Sequence, residues 1–215
     1  YVFKSGSRWG FFPSFSVGWS MHRESFWKNI QPYMNTLKVK ASWGQLGNQN
    51  VNPYTDLELI PLQTGKLNWI FDPVGGRRIG YTSAPGMVNE NLTWETATTK
   101  NLGVETSFLD NKLQANVDLF ERKTTDMVGP SESKPGVIGA DVTKKNNATL
   151  RTRGWEVSLN RKHSINPDFS YFVYLNISDY KSVRTKFNNP TGSLATWYKG
   201  KEYGEIWGYT VHDLF

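Results

Sequence analysis

Apolar and polar residues alternate with a two-residue period in about six separate stretches of the chain, the pattern of strands with one apolar and one polar face. In the first, Phe11, Phe15, Val17, Trp19 and Met21 are opposed by Ser14, Ser16, Gly18 and Ser20. In the second, Leu37, Val39, Ala41 and Trp43 alternate with Lys38, Lys40, Ser42 and Gly44. A weaker third sets Leu102, Val104 and Phe108 against Asn101, Gly103, Glu105 and Ser107. The fourth alternates Leu113, Ala115, Val117 and Leu119 with Gln114, Asn116 and Asp118, and the fifth Trp155, Val157 and Leu159 with Glu156, Ser158 and Asn160. The sixth carries Phe169, Tyr171, Val173, Leu175 and Ile177, with Ser170, Asn176 and Ser178 opposite. Each runs for about 10 to 15 residues, well beyond an ordinary soluble strand, and about 10 tilted residues cross a bilayer.

The connections sort into short and long. Asp110-Asn111 alone separates the third and fourth stretches, a two-residue hairpin signal, and Ser164 to Asp168 separates the fifth and sixth. Long, Gly-, Pro- and Asn-rich segments fill Asn48 to Ala97, Thr124 to Ala148 and the chain from Arg184 onward, as in Asp72-Pro73-Val74-Gly75-Gly76 and Asn188-Asn189-Pro190-Thr191-Gly192. Such loops count against a compact soluble domain. Outer-membrane barrels have this asymmetry, with short periplasmic turns and long extracellular loops. The medium Arg23 to Asn35 segment falls where a short turn is due. It predicts a short amphipathic helix turning Phe26, Trp27 and Ile30 to one side, as a periplasmic interfacial turn or as a packing helix of a soluble fold.

Composition agrees with a barrel wall. Trp 9, Tyr 10 and Phe 12 make the chain 14% aromatic, yet its mean hydropathy is negative. Barrel strands need a lipid-facing apolar row, interfacial aromatics and a polar lumenal row. No stretch is long and apolar enough for a spanning helix. The absence of Cys removes disulfides, Cys-based metal sites and a thiol nucleophile. The net charge of +6 is scattered. Its tightest cluster, Lys144-Lys145 with Arg151 and Arg153, is placed in and beside one loop, and nucleic acid is not an expected partner. The chain opens at Tyr1 without a basic n-region or apolar h-region, as expected of a processed or partial chain.

Several strings together resemble one family. Arg8-Trp9-Gly10-Phe11-Phe12-Pro13-Ser14 with Gly18-Trp19, and Leu37 through Gln49 (LKVKASWGQLGNQ), resemble barrel strands of SusC/RagA-type TonB-dependent transporters. So do Asn91-Leu92-Thr93-Trp94-Glu95-Thr96, Asn101-Leu102-Gly103-Val104-Glu105 and Asp118 through Met127 (DLFERKTTDM). Arg153-Gly154-Trp155-Glu156-Val157 and Glu205-Ile206-Trp207-Gly208-Tyr209 to Phe215 follow in family order, the last departing at Asp213 where Gly is usual. The resemblance implies an all-β fold: an antiparallel transmembrane β-barrel segment of about six long meander strands with long extracellular loops, cut from a larger plugged barrel. Residues 1–215 are then one partial barrel domain, with nothing in them resembling a plug or TonB box. The plugged transporters of this kind have 22 strands, so the chain is not expected to close a barrel alone. The resemblance also implies an outer-membrane location in a Gram-negative bacterium, active import of glycans or peptides, a SusD-type surface lipoprotein as lid, the TonB complex as partner through other parts of the protein, and outer-membrane lipid around the wall. Another outer-membrane barrel with a structural or adhesive role, or a soluble β-rich carbohydrate-binding module, are the alternatives.

The residues offer little catalytic chemistry. His22, His163 and His212 have no metal-ligand spacing, and no cofactor or metal is expected. Asp118 with Glu121, or Glu202 with Glu205, resemble a glycosidase carboxylate pair only in being near in sequence. Gly75-Gly76-Arg77-Arg78 lacks the pattern of a phosphate loop, and the chain is expected not to be an enzyme. If substrate is contacted here, the expected contacts are loop aromatics that stack on sugar rings, namely Trp69, Phe71, Tyr81, Trp197 and Tyr198. Gly44, Gly47, Gly103 and Gly154 are expected in or at the ends of strands, at a bulge or where side chains approach closely inside the barrel, and Trp19, Trp43 and Trp155 on the outward face.

Overall fold

A computed structural model describes residues 3–49, 51–52, 57–60, 62–63, 81–82, 85–89, 91–131, 137 and 143–208. Among these residues eight strands follow one another: β1 (Ser14–Trp19), β2 (Met34–Asn48), β3 (Leu62–Gln63), β4 (Tyr81–Thr82), β5 (Glu95–Phe108), β6 (Leu113–Gly129), β7 (Lys145–Asn166) and β8 (Phe169–Lys186). Six of them form one sheet in the order β1-β2-β5-β6-β7-β8, and β3 pairs with β4 as a separate ribbon. All pairings are antiparallel. The six alternating stretches of the sequence are therefore the six strands of one meandering sheet.

Register turns the alternation into two continuous faces. Trp19, Val39, Val104, Val117, Val157 and Ile177 stand side by side across the sheet. Val17, Ala41, Leu102, Leu119 and Trp155 form the next row of the same face, which ends on Asp179 of β8. No described residue packs over this face: Val17 is 68% exposed, and Trp19, Leu102, Leu119 and Ile177 are 50% exposed. The buried apolar residues described are only Phe3, Trp27, Leu92, Ala97 and Ala148. A one-layer sheet with a wide exposed apolar face is the architecture of a wall whose solvent on that side is lipid. Trp19 and Trp155 lie on this outward face, and Trp43 stacks on Phe15 with ring centroids 6.0 Å apart. No helix among the described residues is long and apolar enough to cross a membrane.

The connections differ in detail from expectation. The Arg23 to Asn35 segment is not one amphipathic helix. It makes two 3-10 turns, Met21–Arg23 and Ser25–Asn29, without a side-chain cap on either. Trp27 alone is buried there, its Nε1 donating to Met34 O at 3.0 Å, while Phe26 and Ile30 are exposed. The turn between β5 and β6 is longer than Asp110-Asn111. Leu109, Asp110 and Asn111 all adopt positive φ, and Lys112 N–H closes the turn on Leu109 O at 3.1 Å. Left-handed backbone is costly for Leu; Asn111 offsets it by accepting from Ser107 Oγ at 2.6 Å and donating its N–H to Asn35 Oδ1. Conversely, β7 and β8 run almost to the tip, leaving only Pro167 and Asp168 between them.

The strands also reach further on the long-loop side, β6 to Gly129 and β7 from Lys145. Arg151 and Arg153 are thereby strand residues rather than parts of a loop cluster. The loop base is fixed by the 91–96 string. Asn146 Nδ2 donates to Thr93 O at 2.9 Å and Thr93 N–H donates back to Asn146 Oδ1 at 3.0 Å. Glu95 accepts from Val128 N–H at 2.8 Å, and Trp94 Nε1 donates to Ser7 O at 2.9 Å. Trp94 also meets Phe3 and Phe12 edge-on, with centroids 5.5 Å away in each case.

Candidate functional site

The polar face of the sheet gathers charges that the sequence spreads over three strands. Register lines up Lys40 of β2, Gly103 of β5, Asp118 of β6 and Glu156 of β7. Because Gly103 has no side chain, Lys40 reaches over β5 to Asp118. A Cβ built at residue 103 would overlap Lys40 Cε and Asp118 Oδ1. Lys40 Nζ lies 3.0 Å from Asp118 Oδ1 and 3.1 Å from Glu105 Oε1, and Lys38 Nζ lies 3.5 Å from Glu105 Oε2. These partly exposed pairs add little stability, about 0.2–1 kcal/mol each; what they fix is the orientation of the charges.

In the next row Gly154 separates Phe120 from Tyr180. A Cβ there would stand 2.6 Å from Phe120 Cζ and 2.7 Å from both Tyr180 Cβ and Asp179 O, so the Phe120 ring leans across β7 into the space the glycine leaves. Lys38, Lys40 and Asp118 of the network, with Phe120 and Tyr180, line a concave depression of about 980 Å³ that also receives Arg122 and Tyr203. Paired charges beside flat rings suit recognition of a polar oligomer by hydrogen bonds and stacking. No sequence motif marks this network. Its members are the polar positions of the alternation, and only strand register brings them together.

The imagined carboxylate pairs do not form an acid and base couple. Asp118 belongs to the polar face and Glu121 to the apolar one, where its carboxylate takes Arg153 Nε. Glu202 pairs with Lys181 at 2.7 Å while its N–H donates to Glu205 Oε2. His22 Nδ1 lies 3.0 Å from Leu37 O and His163 packs edge-on against Tyr171. No group of three or more His, Cys, Asp or Glu among the described residues is placed to hold a metal. His212 and Gly75 to Arg78 lie outside the described residues.

Of the loop aromatics, Trp69 and Phe71 lie outside the described residues, and Tyr81 is placed in β4 opposite Gln63. Trp197 and Tyr198 sit in the loop after β8 and are held by their neighbours. Arg184 lies over the Trp197 ring, 4.4 Å from its centroid, and Phe187 meets that ring edge-on at 5.7 Å. The Tyr198 hydroxyl donates to Glu205, which also accepts from Trp207 Nε1 at 2.9 Å. The Tyr198 hydrogen bond, with that of Trp207 behind it, holds the Glu205 carboxyl below its ordinary value. The same bond holds the Tyr198 phenol above its own. The structure thus joins two of the five expected residues in one loop and leaves them half-exposed.

Comparison with known proteins adds the following. The family model for the TonB dependent receptor-like β-barrel matches residues 2–215. The chain is 33% identical over 177 residues to the TonB-dependent receptor SusC of Bacteroides thetaiotaomicron, covering 82% of this chain and 17% of that protein. It is 29% identical over 184 residues to TonB-dependent receptor P3 of Formosa agariphila, covering 86% and 18%. Among solved structures, the RagAB peptide importer in its closed-closed state superposes with a TM-score of 0.76 at 22% identity, over 93% of this chain and 21% of that one. At that identity the likeness shows the fold. The chain spans less than a fifth of the length of these two curated relatives.

Proposed function

The chain belongs to the TonB dependent receptor-like β-barrel family, and from that premise we propose that it forms one arc of the wall of an outer-membrane importer in a Gram-negative bacterium. The family is one of receptors and transporters rather than enzymes. The observation that carries the reading is the two-faced sheet: an uncovered apolar face outside, an ion-paired polar face inside, and turns that alternate short with long. In this reading residues 1–215 are one part of the barrel domain, and plug and TonB-binding segments come from elsewhere in the same protein. The cargo is an oligomeric nutrient, a glycan or a peptide, drawn past the Lys38, Lys40, Glu105 and Asp118 network. A SusD-type lipoprotein closes the mouth above the long loops. Cargo or lid contacts in this reading fall to the loop aromatics Trp69, Phe71, Tyr81, Trp197 and Tyr198.

The test is uptake by the native host with and without the gene. Deletion is expected to abolish import of one class, labelled oligosaccharides or labelled peptides, in a manner that also requires the proton-motive force. Equal uptake of both classes by the deletion strain, or recovery of the protein away from the outer-membrane fraction, overturns the proposal.

A further inference from the structure

We infer that the outward face just beyond the apolar band, on the long-loop side, binds the phosphorylated headgroup of an outer-leaflet lipid; this rests on the wall reading above. Lys100, Glu121 and Arg153 form one row across β5, β6 and β7, and Thr98, Lys123 and Arg151 form the next. All share the face of Leu102, Leu119 and Trp155. Lys100 and Arg153 lie two residues beyond Leu102 and Trp155, or about 7 Å along the strands, and Lys123 and Arg151 stand another step of about 7 Å further out. That is headgroup depth. Trp43, opposite Lys100 in register, marks the interface as barrel aromatics do.

The patch holds four cations, Lys100, Lys123, Arg151 and Arg153, against the carboxylate of Glu121, which faces Arg153, and that of Asp179, which stands beside Trp155 at its inner edge. Arg153 keeps 63% of its side chain exposed despite that contact. The row continues to Lys181, but Glu202 neutralises it at 2.7 Å and so ends the patch. At the opposite edge of the apolar band the same face carries Phe108, Leu113, Arg161 and Val173, with one cation among them. The charge is therefore concentrated at one leaflet. Cargo passes along the other face of the sheet, so lumenal chemistry does not explain these bases. Guanidinium and ammonium groups spaced over two adjacent strand intervals, about 10 Å, can bracket a phosphate with charge-assisted hydrogen bonds.

The experiment uses the intact barrel that contains this segment, purified from outer membranes in detergent and titrated with diphosphoryl lipid A in mixed micelles, bound lipid being read by native mass spectrometry. Lys100→Gln with Lys123→Gln, and separately Arg151→Gln with Arg153→Gln, are expected to weaken binding by about fivefold per base removed. Salt is expected to weaken the wild type in the same direction, and Arg161→Gln to leave it unchanged. The single variants Lys123→Gln and Arg151→Gln serve if a double variant fails to insert. Fully dephosphorylated lipid A is expected to bind wild type no better than the doubles do. Equal binding by wild type and variants, or by phosphorylated and dephosphorylated lipid, overturns the lipid site. So does full displacement by inorganic phosphate, which would make the patch a free-phosphate site. A wild type that forms no heat-modifiable barrel in the outer membrane overturns the wall reading instead.

Discussion

Gly103 and Gly154 occupy equivalent places, each the empty position in a row of inward side chains, but their surroundings predict different tolerance. A methyl group at 103 meets the end of Lys40, which can swing aside, and the carboxylate of Asp118. At 154 it meets the backbone carbonyl of Asp179 and the Cβ of Tyr180, neither of which can move without the strand. Gly154→Ala is therefore expected to destabilise the barrel by about 1–3 kcal/mol through overpacking, and Gly103→Ala by less; the heat-modifiability midpoint in detergent checks the order. Glu205 predicts a pH response in the loop after β8. Its carboxyl is held below the ordinary 4.5, so the loop's stabilisation is full above that value and is lost as pH falls through the lower, folded one. The Tyr198 phenol, raised above 10.0, contributes below that value and ceases to as pH climbs through its raised one. Limited proteolysis between Leu194 and Gly204 is expected to stay slow near neutrality and to accelerate in acid, and Glu205→Gln to remove the acid step. These details were not legible in the sequence. Trp197 and Tyr198 stood out as rings, but their partners Arg184 and Glu205 are set by where the chain turns back along β8.

Strands were the most legible level, because an apolar face against lipid and a polar face against the lumen impose a period of two with few exceptions. The ends were less so. From Thr124 to Gly129 and from Lys145 to Leu150 the sequence is rich in Thr, Asn and charge on both faces, since those residues lie beyond the apolar band, and the alternation that marks a strand fades although the ladder continues through a bulge at Met127. The 3-10 turns were hidden for a different reason: Phe26, Trp27 and Ile30 have helical spacing, yet the segment lacks a side-chain cap and only Trp27 finds a buried place. The two faces give a direct test. Val157 is central in the outward band and Ser158 is its inward neighbour. Val157→Lys is expected to cost about 2–4 kcal/mol, as lysine does at a bilayer midplane, and to lower the inserted fraction sharply. Ser158→Lys is expected to insert normally and to alter only cargo uptake.

At the scale of the whole molecule the controlling fact is that the sheet is open. Among the described residues β1 has β2 on one side and no strand on the other, and its six residues are all exposed. The far edge, β8, is covered where Arg184 N–H donates to Lys201 O, Gly200 N–H donates to Arg184 O and Tyr203 N–H donates to Ser182 O, leaving the stretch from Phe169 to Lys181 without a further strand among the described residues. Unpaired strand edges are not tolerated in hydrocarbon and template aggregation in water. Flanking strands of the same barrel therefore have to satisfy both, and the long outward rows of β7 and β8 specify register for the incoming partner through the same apolar-out alternation. Amide exchange resolves this. In the intact barrel, the amides of β1 and of Phe169 to Lys181 are expected to exchange as slowly as those of β5 and β6. In the isolated 215-residue chain refolded in detergent, the outward-edge amides of β1 and of the lower half of β8 are expected to exchange fast while β5 and β6, paired on both sides, stay protected. Uniform protection in the isolated chain would mean that it closes or dimerises by itself, and the wall would then be built from copies of this segment rather than from one longer protein.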